Sequence, residues 1–170
     1  MYFQFTPEQE TFRREVREFT QSAMTPEVIE ELRQQGEVLN AHSQTVYKRL
    51  AEKGWLGLQW PREYGGGGAS FIEMAIFNEE MGYAGIPMGA YVLTVNQVGN
   101  TLQAIGTEAQ KREYLPRIIK GEILFCVGFT EPNAGSDLAA LECNAVEDGD
   151  EFVINGQKIF TSNAHIADYI

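Results

Sequence analysis

The strongest constraint on this chain is a change of hydrophobic period at Gly121. From Thr6 to about Ile119 the apolar residues recur at helical spacing, and from Ile123 onward they alternate. A period near 3.6 lines one face of a helix and a period of 2 lines one face of a strand. The chain therefore divides into a helical domain, residues 1–121, and the first part of an antiparallel β-domain, residues 122–170. The fold class is α+β.

Local signals set the helices. Thr6 precedes Pro7 and Gln9, which is the pattern of a capping box, and Phe12, Val16, Phe19 and Ala23 then share one face. Pro26 starts a second helix through Val28, Ile29 and Leu32, and Val46, Tyr47 and Leu50 mark a third that ends at Gly54. The glycines from Gly65 to Gly68 form a connector, since the Lys-Ser/Thr that completes a P-loop is missing. Ser70 and Glu73 cap the next helix. Pro87 to Ile105 is poor in charge, so this helix is buried in a core or lines a ligand tunnel. Thr107 caps a last helix through Tyr114 and Ile118, with Gly121 past its end, for about six helices in all.

Beyond Gly121, Ile123-Leu124-Phe125-Cys126-Val127 reads as a buried strand, and Asp148-Gly149 and Asn155-Gly156 are hairpin turn signals around Phe152, Val153 and Ile154. A third strand follows before Ile170. A sheet ending there leaves unpaired edges, so the rest of the β-domain and a further helical domain are expected outside this chain.

Charge narrows the partners. A net charge of -11 over 170 residues disfavours nucleic acid and gives no basic face for an anionic membrane. Cys126 and Cys143 lack metal spacing and read as small apolar residues, and His42 and His165 form neither a metal set nor a catalytic triad. His165 reads as a loop or surface residue. No secretory h-region or membrane span is visible, so a soluble cytoplasmic protein is expected.

The chemistry concentrates in Gly128-Phe-Thr-Glu-Pro-Asn-Ala-Gly-Ser-Asp-Leu-Ala-Ala140. Backbone N–H groups and hydroxyls in such a loop can hold an anionic ligand, and composition alone fits a plain turn equally well. Thr130-Glu131-Pro132-x-Ala134-Gly135-Ser136-Asp137 resembles the flavin-loop signature of the acyl-CoA dehydrogenase family. Other blocks resemble the same family in the same order: Phe5 to Gln9 with Arg14, Val16, Arg17 and Phe19; Trp60-Pro-Arg-Glu-Tyr-Gly-Gly66; Gly106-Thr107 through Gly121; and Asn155-Gly-Gln-Lys-Ile-Phe-Thr-Ser-Asn163. Phe129 replaces a usual aliphatic residue and Phe160 a frequent Trp. The wording around Met24-Thr-Pro-Glu27 and Trp60-Pro-Arg-Glu-Tyr64 is similar to acyl-CoA dehydrogenases of actinobacterial steroid side-chain breakdown.

The resemblance implies FAD-dependent α,β-dehydrogenation of an acyl-CoA thioester, with electrons passed to an electron-transferring flavoprotein. It assigns the flavin to Val127, Gly128, Phe129, Thr130, Gly135, Ser136, Phe160, Thr161 and Ser162. It assigns the substrate to Ser136, Met88, Tyr91, Thr94 and Val95. Glu131 and Asp137 read as loop-fixing residues. No catalytic base is named, because the family's glutamate belongs to its C-terminal half. The resemblance also implies a homo- or hetero-tetramer. Two alternatives share the fold: an acyl-CoA oxidase or flavin monooxygenase, and a non-catalytic partner subunit of a heteromeric dehydrogenase.

Overall fold

A computed structural model of the chain describes residues 4–35 and 41–170. Six α-helices are present among them: α1 (Pro7–Ala23), α2 (Pro26–Gln35), α3 (Ala41–Glu52), α4 (Phe71–Tyr83), α5 (Asn100–Ile105) and α6 (Glu108–Ile119). A π-helix, Tyr91–Gly99, runs into α5. No strand interrupts residues 70–119.

The helix starts follow local chemistry. Thr6 with Gln9, Ser70 with Glu73 and Thr107 with Gln110 each close a capping box, satisfying two otherwise unpaired N–H groups per helix. Gly121, at φ 66, adopts the left-handed backbone that ends α6, and its N–H donates to Ile118 O.

Packing then joins the helices. Val16, Phe19, Thr20 and Ala23 form the buried stripe of α1, which lies along α4. Trp55 is the aromatic hub, with the Phe12, Phe19 and Phe77 rings edge-on at 6.0, 5.1 and 5.9 Å. Such pairs add about 0.5–1.5 kcal/mol each beyond the area they bury. The glycine run is a structural brace: Gly67 N donates to Gly57 O and Ala69 N to Leu58 O, both at 2.9 Å. A Cβ on Gly66 would lie 2.2 Å from Trp60 O, so only glycine permits this approach.

The β-part is smaller than its alternation predicts. The antiparallel pair β1 (Asn144–Asp148) and β2 (Glu151–Asn155) turns at Gly149, with Val146 opposite Val153 and Glu147 opposite Phe152. The sheet begins at Asn144 rather than near Ile123. Residues Ile123 to Val127 make only an isolated parallel bridge, Phe125 to Tyr169, because their hydrogen bonds go to side chains and to a turn instead of a neighbouring strand. The expected third strand does not form after Gly156, whose φ of 146 breaks the ladder.

Candidate functional site

Two segments distant in sequence are fastened side by side. Ile159 N donates to Thr130 O at 2.9 Å, and Lys158 Nζ donates to Phe129 O at 3.1 Å. Val127 to Thr130 and Phe160 to Ser162, predicted to share a ligand, are thereby brought together. Their connection is Glu131, which is only 6% exposed and accepts from Lys158 Nζ at 2.7 Å, Glu142 N at 2.8 Å and Cys143 N at 2.9 Å. Three donors around one carboxylate satisfy its buried charge. Lys158 first, then the backbone N–H of Glu142, hold the Glu131 carboxyl below its ordinary range. Glu131 therefore fixes the loop and has no proton to trade.

The loop beyond Glu131 leaves donors free. Gly135, Ser136 and Asp137 are exposed, and their backbone N–H groups have no partner among the described residues. A Cβ on Gly135 would meet no heavy atom within 4 Å, so open space lies against that backbone. Free N–H groups beside a serine hydroxyl and open space fit an anionic or carbonyl-rich group. Phe160 sits at φ 54 and is 87% exposed. A bulky residue in left-handed backbone costs on the order of 1–3 kcal/mol, a strain that collects at ligand sites.

A cleft of about 710 Å³ opens between two walls. Met88 and Gly89, just before the π-helix, and Val92 and Leu93, in its first turn, form one wall, and Ser162, Asn163 and His165 the other. Met88 and Ser162, both read from the sequence as site residues, meet here. Tyr91, Thr94 and Val95 do not line it: they are 3, 0 and 1% exposed and face the core. The Tyr91 ring lies 5.8 Å from Phe77, and burial pushes its phenol up from the usual value. The π-helix presents Val92 and Leu93 to the cleft instead. Ser136 also stands outside this lining.

The polar wall is anchored on both flanks. Beyond it, Asp168 Oδ2 accepts from Leu124 N at 2.8 Å, and Cys126 N donates to Tyr169 O at 2.9 Å. The Tyr169 ring stacks on Phe125 at 5.0 Å. Phe125 is pinned in turn by Thr94, whose Oγ1 accepts from Phe125 N at 3.0 Å and donates to Phe125 O at 3.2 Å. The buried Thr94 thus links the apolar wall to the polar one. Neither Thr94 nor Asp168 signals this from local sequence, because each acts across a long separation.

Residues 6–122 match the N-terminal domain of acyl-CoA dehydrogenases and residues 126–170 match the middle domain. The chain belongs to the acyl-CoA dehydrogenase family. It is 46% identical over 173 residues to the acyl-CoA dehydrogenase FadE26 of Mycobacterium tuberculosis, covering 100% of this chain and 42% of FadE26. The ChsE4-ChsE5 complex from Mycobacterium tuberculosis superposes with a TM-score of 0.86 at 42% identity, over 99% of this chain and 42% of that one. The Tcur3481-Tcur3483 steroid acyl-CoA dehydrogenase gives 0.83 at 43% identity, over 99% and 43%. The chain thus spans less than half the length of the acyl-CoA dehydrogenases it matches. Among the described residues no helix is long and apolar enough to cross a membrane, and no group of three or more His, Cys, Asp or Glu could hold a metal. The His42 side chain lies outside the described residues.

Proposed function

We propose that this chain supplies part of the flavin and thioester site of an enzyme catalysing FAD-dependent α,β-dehydrogenation of an acyl-CoA, with electrons leaving to an electron-transferring flavoprotein. The observation that carries the reading is the Ile159-to-Thr130 junction, which sets the two flavin-signature segments side by side, with Ser162 of the second on the wall of a cleft. FAD, when bound, supplies the hydride acceptor.

The roles of the residues follow from their chemistry. Val127, Gly128, Phe129 and Thr130 offer backbone groups and one hydroxyl along the edge of a planar ring, where donors stabilise developing negative charge. Gly135 and Ser136 hold phosphate oxygens of the cofactor or of CoA. Phe160 forms an apolar wall, and Thr161 and Ser162 add hydroxyls near the reacting end. Met88, joined by Val92 and Leu93, lines the acyl chain, while Tyr91, Thr94 and Val95 support that wall from behind. The catalytic base comes from outside residues 1–170, and the domain division falls at residues 121/122. A cytoplasmic homo- or hetero-tetramer completes the reading. The two-subunit steroid relatives favour a bulky acyl group and an unlike partner subunit.

Turnover by the holoprotein tests the proposal. Reduction of electron-transferring flavoprotein by acyl-CoA, faster than reduction of oxygen, is the expected result. Fast reoxidation by oxygen alone would place the protein among the oxidases of this fold.

A further inference from the structure

The polar wall of the cleft carries one side chain that the dehydrogenation reading leaves without a task. His165 is exposed, lines the cleft, and has no hydrogen-bond or ion-pair partner among the described residues. An imidazole keeps at least one N–H donor in either protonation state. Facing it across the cleft, Met88, Val92 and Leu93 offer no donor, and no carboxylate, lysine or arginine is present among the lining residues.

The turn that bears His165 is fixed. Ile166 N and Ala167 N both donate to Asn163 O, at 3.1 and 3.0 Å, and Asn163 takes left-handed backbone at φ 64. The preceding flank is held by Lys158 and Ile159, and the following flank by Asp168 and Tyr169. A donor on a turn anchored at both ends costs little ordering entropy when a ligand meets it.

We propose that His165 is a specificity-determining residue that donates a hydrogen bond to an oxygen on the acyl group. The cleft then favours acyl-CoA thioesters whose acyl part carries a keto or hydroxyl oxygen over hydrocarbon analogues of the same size. The inference rests on the acyl-CoA reading above. A site that pairs with a substrate oxygen rejects the analogue lacking it, because an acyl group that covers the donor strips its water and leaves it unpaired.

The test uses the flavin-loaded holoenzyme and two matched pairs of substrates: octanoyl-CoA with its keto analogue, and a steroid-bearing acyl-CoA with and without a ring ketone. The readout is the ratio of kcat/KM within a pair. Wild type should favour the oxygenated member of at least one pair by about tenfold. His165→Leu should bring that ratio close to one, and His165→Gln, which keeps an N–H donor, should restore part of it. A wild-type ratio near one in both pairs, or a ratio unchanged in His165→Leu, overturns the proposal. Flavin-loaded wild type that oxidises no member of either pair overturns the acyl-CoA reading, and this inference with it.

Discussion

Lys158 Nζ and the Glu131 carboxylate meet at 2.7 Å across 27 residues of sequence. This ion pair, reinforced by Lys158 Nζ to Phe129 O at 3.1 Å, sets the distance between the Thr130 segment and the Phe160 segment. Neither partner reaches the cleft, so both act by holding other residues in place.

Lys158→Met should separate the two segments while leaving the helical core intact. Flavin affinity of the holoprotein is expected to fall about tenfold or more, as when a supporting contact behind a binding site is lost. Circular dichroism of the helices should stay the same. Unchanged flavin retention in a dialysis assay would show that the latch does not serve the site.

The same pair predicts a pH dependence. The folded-state Glu131 carboxyl is depressed below its ordinary value of 4.5, chiefly by the Lys158 hydrogen bond. Its stabilisation is present above the ordinary carboxylate value and is lost as pH falls through the depressed folded value. Thermal melts taken from neutral pH into the acid range should fall more steeply for wild type than for Glu131→Gln. Parallel slopes would remove Glu131 as the cause.

Thr94→Val tests the link between the two walls. The substitution keeps the shape but leaves the Phe125 N–H without its partner, at a cost of about 1–3 kcal/mol. Urea denaturation should show that loss, and an unaltered midpoint would mean that the Thr94 to Phe125 pair is not formed in solution.

Two glycines should respond in opposite ways. A Cβ on Gly99 would lie 2.2 Å from Trp60 Cζ2, so Gly99→Ala forces the ring to shift and should cost about 1–3 kcal/mol. Gly135 has open space, so Gly135→Ala should leave the melting temperature unchanged and weaken cofactor binding instead. Melting curves read beside flavin titrations separate the two effects.

Much of the helical part was legible because its signals are local. Thr6, Ser70 and Thr107 each cap within one turn, and Asp148-Gly149 turns a hairpin through its own backbone. The segment Ile123 to Val127 reads as a strand because a continuous apolar run records burial, whereas a strand also needs a partner row. Its partners proved to be Thr94, Asp168 and Tyr169, 31 to 44 residues away. The cleft-facing side of the Tyr91–Gly99 helix was hidden for a different reason. Tyr91, Thr94 and Val95 do share one face at helical spacing, but that face packs into the core. The period alone does not say which of two apolar faces meets the cleft, and it is Val92 and Leu93 that do. His165 carried no pattern at all, and only the anchored turn places it on the cleft.

Anaerobic addition of an acyl-CoA thioester to the flavin-loaded holoprotein tests the central claim most directly. If Thr130, Ser136 and Ser162 help hold FAD against a thioester in this cleft, the visible flavin band should bleach on mixing, and Ser162→Ala should slow the bleaching. A purified full chain that retains no flavin when FAD is supplied, or whose flavin stays oxidised with linear, branched and steroid-bearing thioesters alike, would contradict it.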